Sequence, residues 1–307
     1  MSFLIHDGLL RRLAEVNSFP VPDNEMVFFG LRGALPLNPD NSEFDAAHQI
    51  NVENVDYVHP RCTLGQWLPA EGLLAVFPGS TVPHSKFIPA AMANGGAGVN
   101  QLLTGYYDDY RKGVHKQGSA TAHDAFKQTE GRPIRRTKDD LDFEANDMTE
   151  FMNPFDNLHA GWCPSANHTN YESMGCQVVV GFPQCAKRGP LPAAGPWAVF
   201  KQNAYELDQN NFGYMLLDGR YVLAAAEAGD SEFPRRLRYG SEGEKVMDLQ
   251  RKLKSAAFFE GDVDGQFGPR TIRAVLEFQT HTFGFNSEDG VVGQQTATAL
   301  GFDLGKA

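Results

Sequence analysis

The chain is short of basic residues: 27 lysines and arginines stand against 38 aspartates and glutamates, a formal net charge of -11 over 307 residues. Nucleic acid and anionic membrane surfaces are poor partners for such a chain, because both need a basic face to offset phosphate charge. No run approaches the roughly eighteen apolar residues of a membrane-crossing helix, so no membrane span is expected. Cysteine is scarce as well. Cys62, Cys163, Cys176 and Cys185 are too few and too unevenly spaced for a disulfide scaffold, and none belongs to a CxxC pair; no metal is expected. The glycine-rich stretch 94–98 lacks both a following Lys-Ser/Thr pair and an amphipathic helix. It reads as a turn, and no cofactor is expected. The acidic stretch 138–150, directly after Arg132, Arg135 and Arg136, lacks the glycine-centred spacing of a calcium loop. It reads as a solvated segment with local ion pairing.

What is present is an ordinary folding composition, 42% hydrophobic and 21% charged, at a length that suits two domains. Residues 26–31 form one strand-like segment in an N-terminal region that is otherwise hard to read, and from Leu73 short apolar runs alternate with turn residues. Strands are expected within 101–114, 177–182, 197–202 and 214–223. Residues 224–234, rich in alanine, glycine and acidic groups and closed by Pro234, suit a linker. Beyond it the periodicity becomes helical. Ser241 and Glu244 stand in capping-box spacing, and Val246, Leu249 and Leu253 fall on one stripe. Pro269 opens a second helix carrying Ile272, Val275 and Phe278, and a third spans 294–300. Helices this short must pack together to hold. The fold class is therefore α+β: a mainly-β domain followed by a small three-helix bundle.

Leu237-Arg238-Tyr239-Gly240, Leu249-Gln250, Asp264-Gly265-Gln266-Phe267-Gly268, Thr271, Phe278-Gln279, Asp289-Gly290-Val291-Val292-Gly293 and Thr296 occur in order over 237–302. In this pattern the segment resembles the three-helix peptidoglycan-binding domain of wall hydrolases. The resemblance implies a glycan-holding module with Asp264, Gly265, Phe267, Gly268, Thr271, Asp289, Gly290 and Gly293 as its characteristic residues. Read physically, each loop is an Asx-type turn with glycines free to take positive φ, followed by an apolar plug; scaffold is the commoner use of such residues.

Cys176, preceded by Gly175 and followed by the apolar run 178–180, stands at the mouth of a strand, where a thiol is open to attack a carbonyl and nearby backbone N–H groups can serve as an oxyanion hole. A base is needed, and His159 is the best placed upstream, with His115, His123 and His168 as substitutes. A strand-like His-x-Gly followed by Ser173-Met174-Gly175-Cys176 is similar to the signature of the L,D-transpeptidase family, over roughly 70–223. That resemblance implies Cys176 as the acylated nucleophile, His159 as its base, the Ala160 carbonyl as orienting acceptor and Gly175 at the reacting centre. It further implies Ser173, His115 and Tyr106 as substrate contacts, the last two on the strand beside the site. Two positions depart from the pattern: Met174 replaces a second histidine, and Val178 replaces an arginine or asparagine that would meet a substrate carboxylate.

Together these resemblances imply a cysteine acyl-transfer enzyme acting on the stem peptides of peptidoglycan, as an L,D-transpeptidase or L,D-carboxypeptidase. Residues 71–223 form the catalytic domain, 224–236 the linker and 237–303 the wall-binding domain; residues 1–70 are an extension or part of the catalytic domain. The alternatives left open are a non-catalytic wall-binding protein, and a peptidoglycan amidase or endopeptidase delivered as an antibacterial effector or phage lysis component. The N-terminus places Arg11 and Arg12 after its apolar stretch, the reverse of a Sec signal. The expected location is the cell wall or periplasm, reached by a non-Sec route.

Overall fold

The structure, a computed structural model, describes residues 1–93, 98–137, 149–229, 231–284 and 288–305. The turn expected at 94–98 and the acidic stretch at 138–150 therefore lie almost wholly outside the described residues. The chain opens with β1 (Ser2–His6) and α1 (Asp7–Val16), then β2 (Val27–Arg32), β3 (Ala34–Pro36) and β4 (Ala47–Val52). There follow the hairpin β5 (Cys62–Leu68) and β6 (Leu73–Ser80), helix α2 (Phe87–Ala93) and β7 (Val99–Leu102). A second hairpin, β8 (Gly105–His115) and β9 (His123–Gln128), leads to β10 (Arg132–Thr137) and β11 (Thr149–Met152). Short strands β12 (Leu158–Ala160) and β13 (Gln177–Val179) precede α3 (Pro196–Tyr205), β14 (Asn211–Asp218) and α4 (Gly219–Ala228). The C-terminal helices are α5 (Glu244–Ser255), α6 (Pro269–Phe283) and α7 (Gln294–Ala299).

Eight strands close into a barrel in the order β12-β13-β6-β5-β2-β14-β8-β9, and two small sheets, β1-β4-β3 and β11-β10-β7, lie beside it. The segment 26–31 is apolar throughout because both faces of β2 are covered. Phe28 points into a core shared with Phe126, Phe200 and Phe212, its ring 4.6 Å from Phe212 and 5.0 Å from Phe200. Val27, Phe29 and Leu31 pack on the other side with Leu9, Leu13 and Val222 of α1 and α4. β2 and β5 both fall within the first seventy residues, so this region supplies barrel staves rather than an extension.

Three expectations of secondary structure give way. Residues 197–202 lie in helix α3, started by Pro196 after Gly195 at φ 72°; Trp197, Phe200 and Ala204 recur at helical spacing and stop one side of the barrel core. The apolar run 214–223 is a strand that turns into a helix at Gly219, where a β-carbon would lie 2.5 Å from that of Ala34. Residues 101–114 break into β7 and β8, which join different sheets.

The expected linker is also packed structure. α4 continues to Ala228, Phe233 is buried with its ring 5.5 Å from Tyr221, and Arg236 N donates to Val16 O at 2.9 Å. The three helices of the C-terminal bundle form where the periodicity places them, but the capping box does not. Gly243 occupies the N-cap of α5 at φ 101°, while Ser241 Oγ donates to Asn17 O at 2.5 Å. The bundle is docked on the barrel. Tyr106 N donates to Tyr239 O at 2.9 Å, and the buried Arg238 reaches Thr104 Oγ1 at 2.9 Å with its guanidinium 5.0 Å from the Tyr221 ring. No helix among the described residues is long and apolar enough to cross a membrane.

Candidate active site

The barrel gathers four of its strand ends around Cys176. β12 and β13 run parallel, with Leu158 opposite Gln177 and His159 opposite Val178, so His159 and Cys176 meet at one end of the pair. The β8–β9 hairpin pairs His115 with His123 and is joined to β12 through Phe126 and Leu158. One ring nitrogen each from His115 and His159 and the Sγ of Cys176 lie within 4.8 Å of one another. Two imidazoles and a thiol are also a donor set of the kind that suits a soft metal ion. The His115 and His159 rings stack at 4.0 Å, and His123 stands 5.4 Å from each.

The turn that carries the cysteine is built from Ser173 and Gly175. Ser173 Oγ donates to Cys176 O at 2.7 Å and accepts from Gly175 N at 3.2 Å. Gly175 takes φ +146°, and a β-carbon there would lie 2.6 Å from Asp156 Oδ2 and collide with the Asn100 amide. Glycine is required here on both counts. Ser173 is buried, and its hydroxyl makes both of these hydrogen bonds of the turn. The N–H groups on either side of Cys176 are engaged too: Gly175 N by Ser173 and Gln177 N by Asn157 O at 3.0 Å.

His159 Nδ1 donates to Ala160 O at 2.8 Å, the neighbouring carbonyl, which leaves Nε2 with its lone pair. Burial drives the His159 pKa well below the ordinary histidine value, helped by His115 and His123. Burial likewise lowers His115 to about 3. Cys176 Sγ has Asp156 Oδ1 at 4.0 Å and Phe155 O at 3.9 Å, and burial, reinforced by the Asp156 carboxylate, pushes its thiol far above the usual range. At neutral pH the pair is therefore a neutral thiol beside a neutral base, not a preformed thiolate–imidazolium couple.

Asp156 escaped the sequence reading. Burial raises its carboxyl to about 7, opposed by the Asn100 hydrogen bond and by Arg136. Asn100 Oδ1 in turn accepts from Arg136 at 2.7 Å, whose Nε meets Glu150 at 2.6 Å. Its position three residues before His159 is the one signal that marks it in the sequence. His115, His123 and His159, with Lys116, Thr121, Trp162, Glu172 and Lys187, line a cavity of about 310 Å³, which His159 borders and Cys176 itself does not line.

Tyr106 does not reach this site. It is buried under the bundle, its ring 5.7 Å from Phe19. Met174 is half-exposed at the turn, and Val178 is buried beside Cys163 and Tyr171, so neither supplies the polar contact whose place it takes.

In the bundle the two similar loops are one device used twice. Buried Gln250 accepts from Gly265 N at 3.0 Å and donates to Asp264 Oδ1, Gln266 O and Thr271 Oγ1. Buried Gln279 accepts from Gly290 N at 3.0 Å and donates to Asp289 Oδ1, Val291 O and Thr296 Oγ1. Phe267 and Val292 plug the core behind each loop. Thr271, Phe267 and the aspartate carboxylates are thus committed to scaffold, while Gly268 and Gly293 have no neighbour that a β-carbon would touch.

Fold and site together define a barrel protein with a buried cysteine–histidine pair and a docked helical module. Residues 242–300 match the family described as "Putative peptidoglycan binding domain", and the C-terminal bundle is a domain of that kind. The chain is similar to the spore cortex-lytic enzyme of Bacillus subtilis, 36% identical over 64 residues that make 21% of each chain. It is similar to that of Bacillus cereus at 36% over 88 residues, 29% of this chain and 32% of the other. An uncharacterized protein of Kitasatospora aureofaciens is 46% identical over 61 residues, 20% of this chain and half of its own. The chain thus spans between about a fifth and a half of the curated relatives it matches. No solved structure matches it significantly.

Proposed function

We propose that the protein is a cysteine acyl-transfer enzyme of the cell wall, acting outside the cytoplasm on peptidoglycan stem peptides in the manner of an L,D-transpeptidase or L,D-carboxypeptidase. The observation that carries the reading is the Cys176–His159 pair, its base oriented by Ala160 O and opening on a cavity, in a chain that ends in a peptidoglycan-binding domain. Because thiol and imidazole are both neutral, His159 acts as a general base during attack. Its Nε2 takes the S–H proton as Sγ bonds to the carbonyl carbon of the donor peptide. Collapse breaks the C–N bond, and the imidazolium returns the proton to the leaving amine. The thioester is then resolved by an amine, giving a cross-link, or by water, giving a trimmed peptide, and the thiol is restored with the proton His159 removed from the incoming group.

Resolution by water is the second reading, favoured by the name that the Bacillus relatives carry, cortex-lytic. Muropeptide mass spectrometry after treatment with the protein or with Cys176→Ala distinguishes the cases. The expected result is altered stem peptides or cross-links with the parent only. Unchanged muropeptides with both proteins, alongside sedimentation of each with sacculi, would reduce the protein to a non-catalytic wall binder.

A further inference from the structure

A groove of about 670 Å³ runs along the seam where the bundle meets the barrel, and a hollow of about 120 Å³ shares Pro20, Glu242 and Gln266 with it. One wall is the first of the two bundle loops, 264–268, with Met247 of α5. The other is the turn after α1, carrying Phe19 and Pro20, together with Asp108 near the start of β8. Backbone hydrogen bonds tie the walls to each other. Glu242 N donates to Ser18 O at 2.8 Å, and Phe267 N donates to Ser241 O at 2.9 Å. Ser18 itself takes φ +53°, closed by its N–H on Glu15 O at 2.9 Å, a conformation that non-glycine residues keep only where the surroundings fix it.

Most acidic groups on the groove are already engaged. Glu15 meets Arg235 at 3.6 Å, Glu244 meets Arg251 at 3.3 Å, Asp108 meets Arg132 at 3.4 Å, and Asp264 accepts from Gln250 at 2.7 Å. Glu242 and Gln266, which border both hollows, have no side-chain partner among the described residues. These two residues pair across an isolated antiparallel bridge. Residues directly opposite in that way point to one face, with β-carbons about 5 Å apart. One open carboxylate and one open carboxamide therefore stand side by side, with apolar surface from Pro20, Phe19 and Met247 around them. Such a pair can accept from hydroxyl and amide N–H groups and donate to an amide oxygen, while the apolar surface meets the C–H face of a sugar ring. A chain bearing carboxylates of its own is disfavoured by Glu242.

We infer that this groove binds the N-acetylated sugar backbone of peptidoglycan rather than its charged stem peptides, and that the barrel supplies one of its two walls. The inference rests on the cell-wall reading of the protein but not on acyl transfer. Residues 242–300, which match the peptidoglycan-binding family, contain Glu242 and Gln266 but not Pro20 or Asp108, so the bundle alone holds only half of the groove. Tyr106 in the wall of the smaller hollow and His115 at the thiol cavity stand on the same strand, about 30 Å apart at roughly 3.3 Å per residue. The two sites are therefore separate, and a glycan can lie in the groove while a stem peptide reaches the thiol.

The test uses the full chain, with the N-acetylglucosamine hexamer, cellohexaose and a free stem tetrapeptide as separate probes, followed by titration calorimetry and hydrogen exchange. The N-acetylated hexamer should bind, and cellohexaose, which lacks the acetamido groups, should bind at least about tenfold more weakly, the scale of one hydrogen bond. Bound hexamer should slow exchange in both 17–20 and 264–268. Glu242→Ala on the bundle side, and Pro20→Ala with Asp108→Ala on the barrel side, should each weaken the hexamer by about tenfold. Pro20 and Asp108 are exposed and Glu242 is half-buried, so an unchanged denaturation midpoint is expected in these variants; should one lose its fold, the exchange pattern of the parent decides. No binding of the hexamer, protection confined to the bundle, full affinity in the barrel-side variant, or displacement of the hexamer by the stem peptide overturns the inference. Acyl transfer is judged separately, on muropeptides: changed muropeptides without hexamer binding would sink the groove and leave the enzyme, and the converse would leave the groove standing.

Discussion

Replacing Asp156 with asparagine should make Cys176 more reactive toward iodoacetamide, and only above neutral pH. Asp156 Oδ1 lies 4.0 Å from Sγ, and its carboxyl ionises at about 7 because burial disfavours the charge. Two unit charges at that distance repel by roughly 4 kcal/mol at an effective dielectric constant near 20. That corresponds to about 3 pH units on the thiol, an upper bound that local relaxation reduces. Asparagine removes the charge and can still accept from Asn100, so the turn should survive. Alkylation measured by mass spectrometry, with Cys62, Cys163 and Cys185 as internal references, should be equal in parent and variant below about pH 6, where the parent carboxyl is already protonated. At about pH 8.5 the variant should react at least tenfold faster. A ratio that stays flat with pH, or remains under about two at pH 8.5, refutes the placement of this charge beside the sulfur. Stability provides a second readout. The folded carboxyl holds its proton from about pH 4 to 7 while the unfolded chain has lost it, so the parent loses up to roughly 4 kcal/mol as pH rises through that window and the variant does not.

His115 should act in the opposite sense. Its folded pKa of about 3 lies below the unfolded value, so stability is present above about pH 6.5 and is lost as pH falls toward 3. In urea titrations His115→Phe, which keeps a ring against His159, should flatten that acid loss; an unchanged slope would argue against the neutral imidazole cluster. Gly175→Ala, forced into positive φ against Asp156 and Asn100, should cost roughly 2–4 kcal/mol, read as a lower denaturation midpoint. Gln250→Leu and Gln279→Leu each remove four hydrogen bonds from a buried loop and should each cost about 3 kcal/mol, with loss of sacculus sedimentation. A cost under about 1 kcal/mol in either would deny the loops their scaffold role.

The helical stripe of Val246, Leu249 and Leu253 was legible because a bundle helix meets its core through one face, and that periodicity is local. The strand at 26–31 was legible for the opposite reason, being covered on both faces. The runs at 197–202 and 214–223 misled because a short apolar stretch reads alike as a buried strand or a buried helix, and only Pro196 and Gly219 mark the difference. The parallel pairing of β2 with β14, which brings Phe28 beside Tyr214, depends on register between distant segments and leaves no local trace. The same holds at the site. His159 and Cys176 could be paired from their motifs, but Asp156, His123 and Lys187 join them through the turns at 153–157, 116–122 and 183–191, whose paths no spacing rule encodes.

The docking of the bundle alters what wall attachment can contribute. A module on a loose tether raises the local concentration of stem peptides but leaves their orientation free. Here the segment after α4 is anchored by Phe233 and Arg236, Arg238 is buried between Thr104 and Tyr221, and Tyr239 bonds to the first residues of β8. β8 is also the strand that ends in His115. On the proposed function, one strand thus joins the glycan-holding bundle at its start to the thiol site at its end. A glycan held by the bundle would then present its stem peptides at a fixed distance and angle from Cys176. Orientation of this kind lowers the entropic barrier to attack beyond what concentration alone supplies. Arg238 is buried at this junction: its charge is costly to bury, and its hydrogen bond to Thr104 and its place over Tyr221 tie the bundle to the barrel there.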